Sequence, residues 1–135
     1  MRKKLILIGL IIILIIVGWA FHLFTETRPG LVNIKADVSI NADELYNQFQ
    51  VDETVANKKY LDKIIEVNGI VTDIEQTDST LSIELKGTET GGVNCGIADV
   101  TNKKLSFQKG STISIKGRCS GFLMDVNMVD CVIEK

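Results

Sequence analysis

The chain has 135 residues, 24% of them charged, and a net charge of -2, a length that suits one domain plus an appendage. Three cations precede a long apolar run, so residues 25–135 carry 12 Lys plus Arg against 17 Asp plus Glu, a net -5. That balance argues against a nucleic-acid binder, which draws its affinity from a basic stripe; a single histidine, His22, and the lack of any CxxC spacing argue against a zinc site.

Residues 1–4 form a basic tip with Arg2, Lys3 and Lys4, and residues 5–24 are almost wholly apolar. About 20 apolar residues at about 1.5 Å each span a hydrocarbon core of about 30 Å, so this run reads as a single transmembrane signal-anchor helix. The positive-inside rule keeps the tip in the cytoplasm and puts the C-terminal domain outside the inner membrane, on the periplasmic side. The alternative is a signal peptide cut after Ala20, where Gly18-Trp19-Ala20 has the small-x-small form. Either reading exports the domain, and no cysteine lies near the end of the run to carry a lipid.

Residues 25–40 read as a linker and edge segment, with the only proline, Pro29, and some alternation through Val32, Ile34, Ala36 and Val38. The domain proper is placed at 41–135. Asn41-Ala-Asp-Glu44 has the form of a capping box and predicts a helix over 42–50, with Leu45 and Phe49 at helical spacing. A second short helix is expected over 52–60. Tyr46, Phe49 and Tyr60 read as core residues rather than a stacking platform for bases.

From Lys63 onward the pattern is strands and turns. The stretch 64–75 puts Ile65, Val67 and Val71 on one face, with a bend or bulge at Gly69. Strands follow over 80–85, 93–100, 111–119 and 125–133, separated by loops that include 86–92 and 120–125. Ile65 to Gly69 and Ile113 to Gly117 echo one another, each strand meeting glycine at the same offset. Five short strands with glycine bends suit a mainly β domain built as a five-stranded Greek-key barrel of the OB-fold type, with N-terminal helices. An SH3-like barrel is the structural alternative.

The order of Asn57-Lys-Lys-Tyr60, Val67-Asn-Gly-Ile-Val71, Val93-Asn-Cys95, Lys109-Gly110, Ile115-Lys-Gly-Arg-Cys-Ser-Gly121 and Asp130-Cys-Val-Ile133 resembles the tRNA_anti-like family of OB-fold domains, small exported or membrane-anchored bacterial proteins. The likeness runs from about residue 43 to the end. It implies a fold and supplies no catalytic, cofactor or metal residue.

On function, the sequence points to a non-catalytic binding or interaction module with an extracytoplasmic ligand, protein or other, met through the 86–92 and 120–125 loops. A single-stranded nucleic-acid-binding domain is the alternative, with Asn94, Lys103, Lys104, Lys109 and Arg118 as the basic patch; an enzyme or enzyme accessory subunit comes after it. No catalytic, cofactor or metal residues are singled out, since Cys95 has no histidine partner and Asp73, Glu75 and Asp78 merely border a turn. Three cysteines allow at most one internal bridge. Cys119 with Cys131 is the disulfide candidate, between adjacent strands, and Cys95 with either is the alternative.

Overall fold

The structure is a computed structural model that describes residues 9, 11–20, 31–98 and 106–134. Residues 11–20 are helical, and their apolar side chains from Ile11 to Trp19 are each more than half exposed. Among the described residues no helix is long and apolar enough to cross a membrane. The rest of the predicted 5–24 span, and the basic tip before it, lie outside the described residues.

The domain opens with a 3-10 turn at Leu31–Asn33, then β1 (Val38–Asn41), α1 (Ala42–Val51), α2 (Glu53–Tyr60), β2 (Ile64–Gln76), β3 (Thr80–Lys86), β4 (Gly92–Ala98), β5 (Thr112–Leu123) and β6 (Asp125–Glu134). Strand β2 is long enough to serve two sides of a barrel. Its first half, Ile64 to Ile70, pairs antiparallel with β5, and its second half, Val71 to Gln76, pairs antiparallel with β3. The circuit then closes through β4 and β6, which run parallel to each other, and back to β5. A closed ring in the order β2-β3-β4-β6-β5 is the Greek-key topology of the OB-fold. β1 adds a short parallel strand beside the start of β2.

Alternation along β2 works as the sequence predicts, with Ile65, Val67 and Val71 fully buried. The bulge, however, sits at Thr72, between the Val71↔Leu85 and Asp73↔Glu84 pairs, one turn of the pleat beyond Gly69. Gly69 has a different job. A β-carbon there would stand 2.9 Å from Cβ of Ala42 and 3.1 Å from Cβ of Leu85, so its bareness lets the start of α1 close onto the sheet. The echo of Gly69 and Gly117 is also geometric: Ile65 faces Gly117 and Gly69 faces Ile113, so the two glycines mark opposite ends of one antiparallel stretch.

The two helices plug one end of the barrel. Leu45, Tyr46 and Phe49 of α1 and Ala56 and Tyr60 of α2 are buried. Phe122, near the end of β5, stacks on Phe49 with ring centroids 5.7 Å apart and meets Tyr46 edge-on at 5.8 Å. The Tyr60 hydroxyl donates to Oε1 of Gln48 at 2.7 Å, tying α2 to α1. These aromatics are therefore core, as their spacing implies.

Two expectations are corrected here. The capping box does not form: Asn41 belongs to β1, its residue pairs with Asn68, and its side chain makes no cap bond. The working cap is Asp52, which accepts from the backbone N–H of Val55 at 3.0 Å and starts α2. Residues 120–123 are likewise strand rather than loop, with Met124 alone at the hairpin tip in a left-handed conformation, φ +66°.

Candidate ligand face

The 86–92 loop, a candidate for the ligand face, is pinned to the helical plug. Thr90 Oγ1 accepts from Gln50 Nε2 at 3.1 Å and lies 3.3 Å from the Tyr46 hydroxyl, while Gly92 N–H donates to Asp125 Oδ1 at 2.8 Å. These bonds fix the strand ends at the closed end of the barrel. Leu123 and Met124 at the neighbouring hairpin tip stay exposed.

The more structured polar surface is the outer side of β2, β3 and β4. Register aligns its residues in two rows. Asp73, Glu84 and Asn94 lie side by side, and next to them Glu75, Ser82 and Gly96. Their side chains surround a depression of about 180 Å³ lined by Asp73, Glu75, Ser82, Glu84 and Asn94. Ser82 Oγ donates to Asn94 Oδ1 at 2.7 Å, holding the amide oxygen on β3. Gly96 contributes no side chain, which leaves the end of the second row open.

Asp73 carries the one clear electrostatic constraint of this face. A hydrogen bond from Lys109, the Ile74 backbone N–H at 2.7 Å and the lysine's charge hold its carboxyl below the ordinary carboxylate value. The net charge of the face remains negative, with Glu75 and Glu84 beside the neutralised Asp73. Adjacent carboxylates on a sheet repel unless a cation or donor lies between them, so the surface suits a ligand that brings positive charge or N–H groups.

Of the basic patch that the nucleic-acid alternative would use, the described members are each engaged elsewhere. Asn94 is bonded to Ser82, Lys109 to Asp73, and Arg118 to the Asp62 carbonyl at 3.2 Å with Asp130 at 3.9 Å. Lys103 and Lys104 lie outside the described residues. The aromatics that bases would stack on are equally elsewhere, since Tyr46, Phe49, Tyr60, Phe107 and Phe122 pack in or against the core.

All three cysteines are buried free thiols. Cys119 and Cys131 do not meet: Cys119 lies opposite Met128, and Cys131 is hydrogen-bonded with Cys95. That bond, then burial, push the Cys95 thiol well above its ordinary value of 9.0, and burial, helped by the nearby Asp62 charge, raises Cys119. Among the described residues no group of three or more His, Cys, Asp or Glu is arranged to hold a metal ion.

No curated protein matches this chain. Among solved structures, the crystal structure of a candidate nucleic acid-binding lipoprotein from Klebsiella pneumoniae is similar in fold, with a TM-score of 0.57 at 15% identity over 72% of this chain and 92% of that one. The tRNA_anti-like family profile matches residues 1–133, nearly the whole length. On that match and the closed five-stranded barrel, the chain belongs to the tRNA_anti-like family of OB-fold proteins.

Proposed function

We propose that this protein is a membrane-anchored, extracytoplasmic binding module without catalytic activity, which meets its ligand on the outer face of β2–β4. The observation that carries the reading is the chemistry of that face. OB-folds bind on this sheet surface, and here it presents Asp73, Glu75, Glu84, Ser82 and Asn94 around a shallow depression. A protein segment with lysine, arginine or free N–H groups complements it. Anchoring is supported by the apolar run over 5–24, whose described part is helical and exposes its side chains rather than packing on the barrel. A non-catalytic role is supported by the burial of Cys95, which is kept protonated away from any substrate.

The Klebsiella protein's description, nucleic acid-binding, supports the second reading, a single-stranded nucleic-acid-binding domain. A strand-binding OB surface combines a basic groove with stacking aromatics, and the β2–β4 face has the opposite charge. Both readings meet in one experiment. The detergent-solubilised full-length protein and its Asp73→Asn/Glu75→Gln/Glu84→Gln variant are used to capture partners from the native envelope, with a single-stranded oligonucleotide titrated in parallel at near-physiological salt. The proposal expects a protein partner that the variant loses and oligonucleotide binding no tighter than micromolar. Tight, salt-sensitive oligonucleotide binding sinks it.

A further inference from the structure

Leu123 and Met124 form the tip of the β5–β6 hairpin, where Met124 alone joins Leu123 to its partner Asp125. Both side chains are 81% exposed, more than any other large apolar side chain among the described residues. A tight hairpin ordinarily turns on Asn, Asp or Gly, which tolerate positive φ and leave the tip hydrated. Here a methionine holds the left-handed conformation, so an apolar tip stands where glycine would sit more easily. The stem beneath is fixed on both strands. Phe122 stacks on Phe49 with centroids 5.7 Å apart, and Asp125 Oδ1 accepts from the Gly92 N–H at 2.8 Å. Leu61, itself exposed, extends the apolar surface along the stem, its Cδ1 lying 3.8 Å from where a β-carbon on Gly121 would stand. Packed structure thus holds the two side chains out in water.

We infer that this tip docks on the bilayer that holds the N-terminal apolar run, dipping Leu123 and Met124 into its interface; the inference rests on the anchored reading proposed above. The chain's own geometry favours that occupant. β1 enters beside the start of β2, since the Asp37 N–H donates to the Ile64 carbonyl at 2.8 Å, and Ile64 pairs with Arg118. From Arg118, β5 runs on to the tip at Leu123, about 17 Å at a strand's rise of about 3.3 Å per residue. The first strand therefore starts at the end of the barrel from which the hairpin projects. Residues 21–30 separate the exposed apolar helix from Leu31, and ten residues span at most about 36 Å when fully extended. The tip is thus within reach of a surface that holds that helix. A second copy is the poorer occupant: a specific protein interface buries about 800 Å² on each partner, and a convex tip of two side chains presents far less. A bilayer makes no such demand, because apolar side chains about 5–10 Å into the headgroup boundary gain from burial without a shaped partner. The charges beside the stem, Lys63 and Asp62, offset one another, so apolar burial is the source of the contact.

The test reads tryptophan emission from the full-length chain in nanodiscs of phosphatidylcholine, with or without bromine near the top of the acyl chains. The wild type has one tryptophan, Trp19, which reports the anchor. A Trp19→Phe/Leu123→Trp variant reports the tip. Trp19→Phe/Asp78→Trp, in the exposed turn between β2 and β3, reports the opposite end of the barrel. Brominated lipid is expected to quench most of the tip emission and to leave the emission from position 78 unchanged, and adding Met124→Asp should abolish the quenching at the tip. An unquenched tip overturns the inference, as does equal quenching at both ends or quenching that survives Met124→Asp. Trp19 separates this from the anchored reading: a quenched Trp19 with an unquenched tip keeps the anchor and removes the docking, whereas a quenched tip with an unquenched Trp19 supports docking and removes the anchor. A blue-shifted but unquenched tip emission overturns the bilayer in favour of a protein occupant.

Discussion

Cys95 gives up its acidity when the barrel closes around it, and that has a pH signature. Its hydrogen bond with Cys131, then burial, raise its pKa well above 9.0 in the folded protein, whereas in the unfolded chain the thiol ionises at about 8.5 to 9. A raised folded value means that the stabilisation is complete below the unfolded value and is lost as pH rises. The unfolded state alone releases the proton in that window, so the reduced protein should lose about 1.4 kcal/mol of stability per pH unit above about pH 9 through this group. Denaturant melts of the reduced protein between pH 8 and 11 check it, with Cys95→Ala expected to show the shallower slope. Equal slopes would mean that the thiol ionises in place. The sequence could place Cys95 on an inward strand position but not Cys131. The inward turn of Cys131 depends on a bulge opposite Gly117 whose residue, Asp130, carries no glycine signal, so counting positions along β6 points Cys131 the wrong way.

At the scale of elements, the barrel was legible wherever one strand carried its own pattern. Ile65, Val67 and Val71 alternate, and Leu81, Ile83 and Leu85 do the same, because each face of a strand is decided by its nearest neighbours in sequence. The helix starts at Ala42 and Glu53 were legible too, but not which residue caps them. Asn41 looks like a cap on local grounds, but its backbone is already committed to a parallel ladder with β2, 27 residues away, as in Asn41↔Asn68. Asp52 lies in no strand ladder; its N–H closes α1 on the Gln48 carbonyl while its carboxylate caps α2. The two positions should therefore respond differently to alanine. Asp52→Ala should cost about 1 kcal/mol, the usual value of a lost N-cap, while Asn41→Ala should cost no more than a few tenths by chemical denaturation. Comparable losses at both positions would show that Asn41 caps α1 in solution after all. The hairpin tip was drawn too wide, over 120–125, because Phe122-Leu-Met124 lacks turn residues and Met124 holds a left-handed conformation that glycine usually supplies.

Across the whole molecule, the ring order β2-β3-β4-β6-β5 places β3 across the barrel from the β5–β6 side. Leu31, where the described domain begins, is buried and its turn packs on β6. The described domain thus begins on the β6 side, and the acidic rows centred on β3 lie opposite. No single stretch of sequence carries that face. Asp73 and Glu75 read locally as solvated charges bordering a turn, and only the register brings Glu84, Ser82 and Asn94 beside them. If a basic partner approaches a tethered domain from the side away from its tether, a photo-cross-linker in place of Ser82 should capture it, and one in place of the exposed Val129 on β6 should not. The attraction between exposed charges is screened beyond a Debye length of about 8 Å at physiological salt, so capture from Ser82 should weaken steadily as salt is raised. Salt-independent capture would replace charge with apolar contact as the source of affinity. Capture from Val129 instead would move the ligand to the tethered side, and the acidic rows would then be a solvated surface that keeps the domain from nucleic acid without binding anything itself.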